Sequence, residues 1–133
     1  MKRDPRLHGL TTDHHHALRL AFRVKTECAA GRATADLAAG VAAAYDAELR
    51  PHFEVEEHVL LPALATAGAQ VLVARTLAEH ATLRAMAAAA GSGETGGLAD
   101  FARLLHDHVR FEENELFPAC EAGWVDPFGW RRR

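Results

Sequence analysis

The sequence predicts an all-α protein whose four helices form an up-down-up-down bundle, and three observations lead to this prediction. The chain consists of long segments rich in Ala, Leu, Glu and Arg, which favour helix over strand. Apolar side chains within these segments recur every three or four positions, the spacing of one helix face. Short glycine-containing loops separate the segments, and such loops join antiparallel neighbours in bundles. We expect one domain over residues 1–133, with the bundle at about 11–122 and a tail at 123–133 covering one bundle end.

The first two helices are defined by their caps and inner faces. Thr12 or Asp13 can cap the first helix and Thr34 the second, because their side-chain oxygens accept from unpaired backbone N–H groups. The inner face of the first helix is predicted to contain His15, Leu18 and Phe22. The inner face of the second is predicted to contain Leu37, Val41, Tyr45, Leu49, His52, Glu56 and Leu60.

The third and fourth helices are separated by the glycine-rich segment 91–97. The third is predicted to turn Val73, Leu77, His80 and Leu83 inward. The fourth is predicted to turn inward Leu98, Phe101, Leu105, His108, Glu112 and Leu116. Proline disrupts helices because it lacks an N–H and its ring clashes with the preceding turn. We therefore expect a kink at Pro51, and an end or bend of the helix at Pro62 and at Pro118.

Charge and cysteine content exclude several functional classes. The net charge is -3, and the one basic run is at 131–133, so we expect no nucleic-acid partner. No apolar stretch approaches the roughly 20 residues of a membrane span, and the first residues do not resemble a signal peptide. We expect a cytoplasmic protein with no membrane partner. Cys28 and Cys120 should lie at opposite bundle ends, too far apart for a disulfide within one chain.

An internal repeat marks the part of the chain that carries chemistry. Residues 52–63 match residues 108–119, with His, Glu, Glu, Leu, Pro and Ala identical between them. A weaker match relates the first and third helices, where His15, Leu18 and Arg19 correspond in spacing to His80, Leu83 and Arg84. The chain therefore resembles two similar helical hairpins.

The repeat places polar groups on faces that should be apolar. His and Glu four residues apart project from one helix face, and a buried carboxylate is costly unless it is paired or bound to a metal. No Lys or Arg falls on these faces. One histidine on an apolar face is usually a hydrogen-bonded core residue, but two such pairs joined by a histidine from each remaining helix favour a metal cage. The predicted ligands are His15, His52, Glu56, His80, His108 and Glu112.

Some neighbouring residues have more than one interpretation. His14 is the alternative to His15 as the first-helix ligand, because it also has helical spacing to Leu18. Glu57 and Glu113 lie off the ligand face and are expected to be solvated or hydrogen-bonded to ligand histidines. The other histidines are predicted to lie on the surface: His8, His16, His58 and His106.

The residue types restrict the metal. Imidazole with carboxylate suits Fe, Mn or Zn, and six ligands are too many for one tetrahedral zinc. Two metals fit if Glu56 and Glu112 each bridge, because each metal then has four protein ligands. A bridging oxide or hydroxide would add a fifth ligand, which leaves a position for dioxygen, nitric oxide or peroxide.

The doubled His-x-x-x-Glu-Glu-x-x-Leu-Leu/Phe-Pro motif resembles the hemerythrin-like family of HHE cation-binding domains, and the likeness covers nearly the whole chain. The resemblance implies a four-helix bundle around a non-haem di-iron centre. Its implied ligands are a histidine of the segment 13–16 together with His52, Glu56, His80, His108 and Glu112. Family members bind dioxygen, sense oxygen or iron, respond to nitric oxide, or help repair damaged iron centres.

The chain departs from the oxygen-carrying members in its third helix. Where those proteins have His-x-x-x-His, His80 is followed four residues later by Arg84. One ligand is therefore missing, and Glu79 or His14 is a candidate to replace it. We expect more open, more reactive metals and no pure oxygen-carrier role.

These observations favour a di-iron protein, with two oxo- or hydroxo-bridged irons per chain, that binds dioxygen, nitric oxide or iron for sensing, storage or detoxification. One alternative is an enzyme acting on peroxide or aiding repair of iron centres. Another is a structural zinc or interaction module whose tail, with Trp124 and Trp130, binds a protein partner. A ferritin-like centre is disfavoured because it uses Glu-x-x-His, and the residues three before the core histidines are Leu49, Leu77 and Leu105.

Overall fold

A computed structural model of the chain describes residues 7–124. The described residues form four long helices, and the predicted all-α bundle is confirmed. The expected tail falls outside the described residues except for its first two positions, which continue the fourth helix. Among the described residues, no helix combines the length and apolar character that crossing a membrane demands.

Helices α1 and α3 are regular, whereas α2 and α4 are interrupted by wider, π-helical turns. Helix α1 is His8–Ala29 and α3 is Gln70–Gly91. Helix α2 spans 35–66, and its α-helical parts Ala35–Ala44, Arg50–Val55 and Leu61–Thr66 are joined by the π turns Tyr45–Leu49 and Glu56–Leu60. Helix α4 spans 98–124 and contains Leu98–Phe111, the π turn Glu112–Leu116, Phe117–Ala119 and the π turn Cys120–Trp124.

The helix ends follow local sequence signals, with one exception. The Thr34 hydroxyl accepts from the Leu37 N–H at 3.2 Å, as expected for the cap of α2. Glycine after α1 adopts the left-handed backbone that ends many helices, with φ of 77° at Gly31. The predicted cap at Thr12 or Asp13 is wrong, because α1 begins a turn earlier, at His8. Asp13 therefore lies within the helix, and its carboxylate is free to contact another helix.

The prolines widen helices α2 and α4 instead of ending them. In three π turns the closing N–H bonds five residues back: Arg50 to Tyr45, Leu61 to Glu56, and Phe117 to Glu112. A proline follows each closing residue: Pro51, Pro62 and Pro118. The wider turn accommodates the ring and the missing N–H of proline. Helix α2 consequently continues to Thr66 and α4 to Trp124, so of the two outcomes expected at Pro62 and Pro118, an end or a bend, the end is wrong.

Two apolar clusters fill the bundle, one towards each end. The large cluster consists of Ala17, Ala21, Val24, Leu37, Ala38, Val41, Tyr45, Leu49, Phe53, Leu83, Ala87, Ala90, Leu98, Phe101, Ala102, Leu105 and Val109. The small cluster consists of Leu7, Leu10, Leu60, Leu61, Leu64, Leu116, Phe117, Ala119 and Cys120. Cys28 packs against the large cluster and Cys120 belongs to the small one, so the two cysteines lie in different clusters. Between the clusters lies a layer of buried polar side chains.

The predicted inner faces are confirmed for α2 and α4, where every predicted position is buried. On α3, His80 and Leu83 are buried but Leu77 is 44% exposed. On α1 the prediction is wrong by one position, since Phe22 is 70% exposed and the buried series is Leu10, His14, Ala17, Ala21 and Val24. Small alanines face inward because α1 packs closely along α4, its most extensive neighbour.

Candidate metal centre

Six buried side chains from all four helices meet between the two apolar clusters. Helices α1 and α3 each contribute one histidine, while α2 and α4 each contribute a histidine and the glutamate one turn later. No member is more than 4% exposed: His14, His52, Glu56, His80, His108 and Glu112. The (i, i+4) spacing within α2 and α4 directs both side chains of each pair to the same side of the helix.

The first group of ligand atoms lies between α1 and α2 and includes one oxygen of each glutamate. His14 Nε2 lies 2.7 Å from Glu112 Oε1, and His52 Nε2 lies 2.9 Å from Glu56 Oε2. His52 Nε2 is also 3.7 Å from Glu112 Oε1. Ligand atoms of these four residues all lie within 4.8 Å of one another, so one cation could contact all four.

The second group lies between α3 and α4 and uses the other oxygen of each glutamate. His80 Nε2 lies 2.9 Å from Glu56 Oε1, and His108 Nε2 lies 2.9 Å from Glu112 Oε2. These four residues also offer ligand atoms within 4.8 Å of one another. Each glutamate therefore faces one histidine pair with one oxygen and the other pair with the second oxygen, the arrangement of a carboxylate that bridges two cations.

Six of the eight inner atoms of this layer lack hydrogen-bond partners, whereas His14 Nε2 and Glu112 Oε1 bond to each other. The unpartnered atoms are His52 Nε2, His80 Nε2, His108 Nε2, Glu112 Oε2 and both carboxylate oxygens of Glu56. Buried polar atoms without partners are destabilising, and they are rare in native proteins. A cation that accepts imidazole nitrogen and carboxylate oxygen would satisfy all of them at once. The donor set thus fits a pair of metal ions.

A carboxylate on the outer side of each histidine fixes the orientation of its ring. The Nδ1–H groups donate to carboxylates at 2.6 Å for His14 to Glu113, 3.1 Å for His52 to Asp13, 2.7 Å for His80 to Glu57, and 2.7 Å for His108 to Glu79. Such a bond leaves the Nε2 lone pair directed at the centre and makes the imidazole a stronger ligand.

The outer carboxylates were predicted in part. Glu57 and Glu113 are expected to be either solvated or hydrogen-bonded to ligand histidines, and the structure shows the hydrogen bonds. Asp13 and Glu79 were not identified in this role. Each directly precedes a buried histidine in the sequence, which was the available signal. However, each bonds the histidine of the next helix, and sequence spacing does not encode that contact.

The carboxylates also control the protonation of the histidines. Burial opposes the charged imidazolium, but Glu112 and Glu79 outweigh burial and raise the pKa of His108 to about 10. At His80, burial is likewise outweighed by Glu112 and Glu56, which raise its pKa to about 9. Burial alone would raise the pKa of Glu112, yet the surrounding histidines hold it well below its usual value. The metal-free layer is therefore rich in protons, which a cation must displace.

A family comparison agrees with this geometry. The model of the Hemerythrin HHE cation binding domain matches residues 6–120, which include all six buried ligand candidates. The chain belongs to this family. A search of curated proteins and a search of solved structures each found no significant match. The hemerythrin-like chain thus combines a cation-binding family match with a buried His and Glu cluster that can hold metal.

The structure places His14, and not the expected His15, among the buried ligand candidates of this hemerythrin-like chain. His15 is exposed, whereas His14 is 2% exposed and lies in the first ligand group. The repeat between α1 and α3 must therefore be shifted by one residue, so that His14 corresponds to His80 and Ala17 to Leu83. The acidic residue before each histidine supports the shifted alignment.

The missing third-helix histidine is not replaced by Glu79. Glu79 Oε1 accepts from His108 Nδ1, and its other oxygen accepts from Arg75 Nε at 2.9 Å, so both oxygens face away from the ligand groups. Arg84, at the departing position, is 54% exposed and lies 3.6 Å from Glu57 Oε2. The hemerythrin-like layer therefore contains two histidines on each side.

Proposed function

We propose that this chain is a di-iron protein in which His14 and His52 bind one iron, His80 and His108 bind the other, and Glu56 and Glu112 bridge them. The observation that carries the proposal is the division of each carboxylate between the two histidine pairs. Each iron would have two imidazole and two carboxylate ligands. That donor set suits iron, although Mn or Zn also accept it.

We propose further that the centre binds a small molecule such as dioxygen, nitric oxide or peroxide, for sensing or detoxification. Four protein ligands leave positions on each iron, and bound iron supplies the electrons and the coordination sites that such molecules need. A protein with two histidines on each side has a more open centre than an oxygen carrier with an additional histidine. This difference supports a reactive or sensing role over oxygen transport.

The remaining side chains of the layer orient the ligands and exclude water. The four outer carboxylates hold the rings with Nε2 inward. Phe53 stacks on His80 with ring centroids 3.9 Å apart, and Phe117 stacks on His14 at 5.1 Å. These aromatic rings pack on the faces of the imidazoles and shield them from solvent there, which strengthens electrostatic interactions inside the layer.

The test is an anaerobic titration of metal-free protein with Fe(II), followed by metal analysis of the isolated protein and by absorption spectroscopy after exposure to air. The proposal predicts two irons per chain and near-ultraviolet bands of an oxygen-bridged pair. Glu56→Gln removes the charge of one bridge and should lower the iron content to one or fewer. Glu54→Gln is the matched control, because Glu54 lies on the exposed side of the same turn.

Two results would contradict the proposal. One is a chain that takes up a single zinc and no iron under these conditions, which would favour the structural zinc module. The other is full iron uptake by Glu56→Gln, which would mean that the carboxylate does not bridge. If iron-loaded protein turns over peroxide and Glu56→Gln does not, the enzymatic alternative replaces simple binding.

A further inference from the structure

A cavity of about 260 Å³ connects the surface to the histidine layer between α1 and α2. Its inner part is lined by three of the ligand candidates, His14, His52 and His108. Its outer part is lined by exposed residues of α2, including Ala47 and Pro51. The cavity therefore reaches both ligand groups from one side of the bundle.

The shape of α2 makes room for this cavity. The π turn Tyr45–Leu49 contributes Ala47, Glu48 and Leu49 to the lining, and it is closed by the bond from Arg50 N–H to Tyr45 O that precedes Pro51. The turn adds a residue locally and displaces the backbone outward. In the repeat, the position of Pro51 corresponds to Asp107, which lies in the uninterrupted α-helical stretch Leu98–Phe111.

Helix α1 also has a smaller side chain at this cavity than α3 has at the corresponding position of the repeat. Ala17 of α1 lines the cavity, whereas the corresponding residue of α3 is Leu83, which is fully buried in the large cluster. A small residue on α1 and a widened turn on α2 therefore coincide on one side of a layer that is otherwise repeated. The two halves of the repeat therefore differ at these two places, and both differences make space for the cavity.

The walls determine what the cavity can admit. The surface end of the lining includes the polar residues Asp13, His16 and Glu48. The buried lining residues other than the histidines are all apolar: Ala17, Leu49, Phe53, Leu105 and Val109. An apolar wall offers no hydrogen bonds to an ion or a polar molecule, so an uncharged molecule enters at the lowest cost. The volume exceeds that of several waters, each of which occupies about 30 Å³ in the liquid.

We propose that this cavity is the channel by which an uncharged diatomic molecule reaches the metal layer, and that Ala17 and Ala47 line it at positions where a larger side chain would block passage. This inference rests on the proposed function, because the channel would be the route by which a ligand reaches the proposed di-iron centre. The geometry places the route on the side of the layer where α1 and α2 face each other, with Leu105 and Val109 of α4 completing its wall.

The first test uses metal-free protein and xenon, an uncharged probe that occupies apolar cavities. Xenon should shift the methyl NMR signals of Leu49, Leu105 and Val109. Ala47→Trp should abolish these shifts, and Ala43→Trp, one turn earlier on the exposed side of α2, should leave them unchanged. Absence of shifts in the wild-type protein would overturn the proposal, whatever iron does.

The second test measures nitric oxide association with iron-loaded protein by stopped flow. Ala47→Trp should slow association by about tenfold at unchanged iron content, while Ala43→Trp keeps the wild-type rate. If Ala47→Trp does not fold, Ala17→Leu, which copies the residue of α3, serves in both tests. An unchanged rate in a variant that excludes xenon would overturn the route. Failure of the wild type to bind iron would refute the proposed function, and the xenon result would still decide the cavity.

Discussion

In the first hairpin, α1 and α2, His52 donates to Asp13 at 3.1 Å, and the Asp13 side chain is 48% exposed. In the second hairpin, α3 and α4, His108 donates to Glu79 at 2.7 Å, and the Glu79 side chain is 17% exposed. The ligands and the positions of their outer carboxylates are repeated, but the lengths of these hydrogen bonds and the exposure of these carboxylates differ. Duplication of a ligand set thus preserves the residues that meet the cation while the surrounding residues diverge.

An arginine adds to the support in the second hairpin. Arg75 donates from Nε to Glu79 at 2.9 Å, and its guanidinium lies 4.0 Å from the centroid of the Phe111 ring. Arg75, packed on Phe111, holds the Glu79 carboxylate in the orientation that contacts His108. The cavity opens beside α1 and α2, and the bond from His108 to Glu79 is shorter and less exposed than the bond from His52 to Asp13. We therefore expect the two metal positions to differ in access and in affinity.

The largest expected effect comes from removing one histidine of each group. His14→Ala and His80→Ala should each reduce iron content from two per chain to one or fewer, because each removes one of only two imidazoles on its side. His15→Ala should keep two irons, since its side chain is exposed. Metal analysis after anaerobic loading checks this. Loss of iron in His15→Ala with retention in His14→Ala would reverse the assignment of the first-helix ligand.

The next effect is a dependence of metal-free stability on pH. Raised folded-state pKa values of about 9 for His80 and about 10 for His108 stabilise the fold fully below 6.5, the unfolded value, and this stabilisation is lost as pH rises through 9 to 10. The lowered pKa of Glu112 stabilises the fold above 4.5 and is lost as pH falls further. Thermal melting of metal-free protein should therefore show its highest Tm between the two unfolded values, 4.5 and 6.5.

Bound iron should prevent the loss of thermal stability that the metal-free protein shows at alkaline pH. Cation binding displaces protons from the histidines, so iron affinity increases as pH rises. The loaded protein should consequently keep its Tm at a pH where the metal-free protein has lost stability. A flat profile for the metal-free chain above pH 6.5 would contradict the proton-rich layer.

The smallest effects distinguish the outer carboxylates of the two hairpins. Glu79→Gln should weaken iron binding by about 10-fold, at the lower end of the effect of losing an outer ligand partner. Asp13→Asn should weaken it less, because its hydrogen bond is longer and its carboxylate is half exposed. Fe(II) titration of both variants measures the difference. Asp100→Asn, an exposed substitution on α4, is the control, and equal losses at both sites would remove the distinction between hairpins.

The sequence was most informative where large apolar residues flank the ligands. On α2 and α4, leucine and phenylalanine one turn either side of each His-Glu pair define the buried face, so the fold and four ligand candidates followed directly. On α1 the buried positions are mostly alanines, and the larger Leu18 and Phe22 drew the predicted face to the wrong side. Small residues carry little hydrophobic signal even when they face the core.

The π turns and the outer hydrogen bonds were not predictable in the same way. Pro51, Pro62 and Pro118 indicated local distortion, but a proline pattern does not say whether a helix ends or widens. Asp13 and Glu79 contact histidines on neighbouring helices, and that choice depends on how the helices pack. These features depend on how the helices pack, and the helical periodicity of one segment carries no information about that packing.

The polar layer between the two apolar clusters also links the lifetime of the chain to metal supply. A ligand that binds only the folded state raises the unfolding free energy in proportion to the logarithm of its free concentration. Proteases degrade the unfolded fraction, so a modest change in that free energy alters abundance several-fold. If the chain binds iron as proposed, it loses this added stability when iron is scarce and is then closer to its unfolding threshold. Cellular levels of this protein would then report iron availability through turnover, without any change in its synthesis.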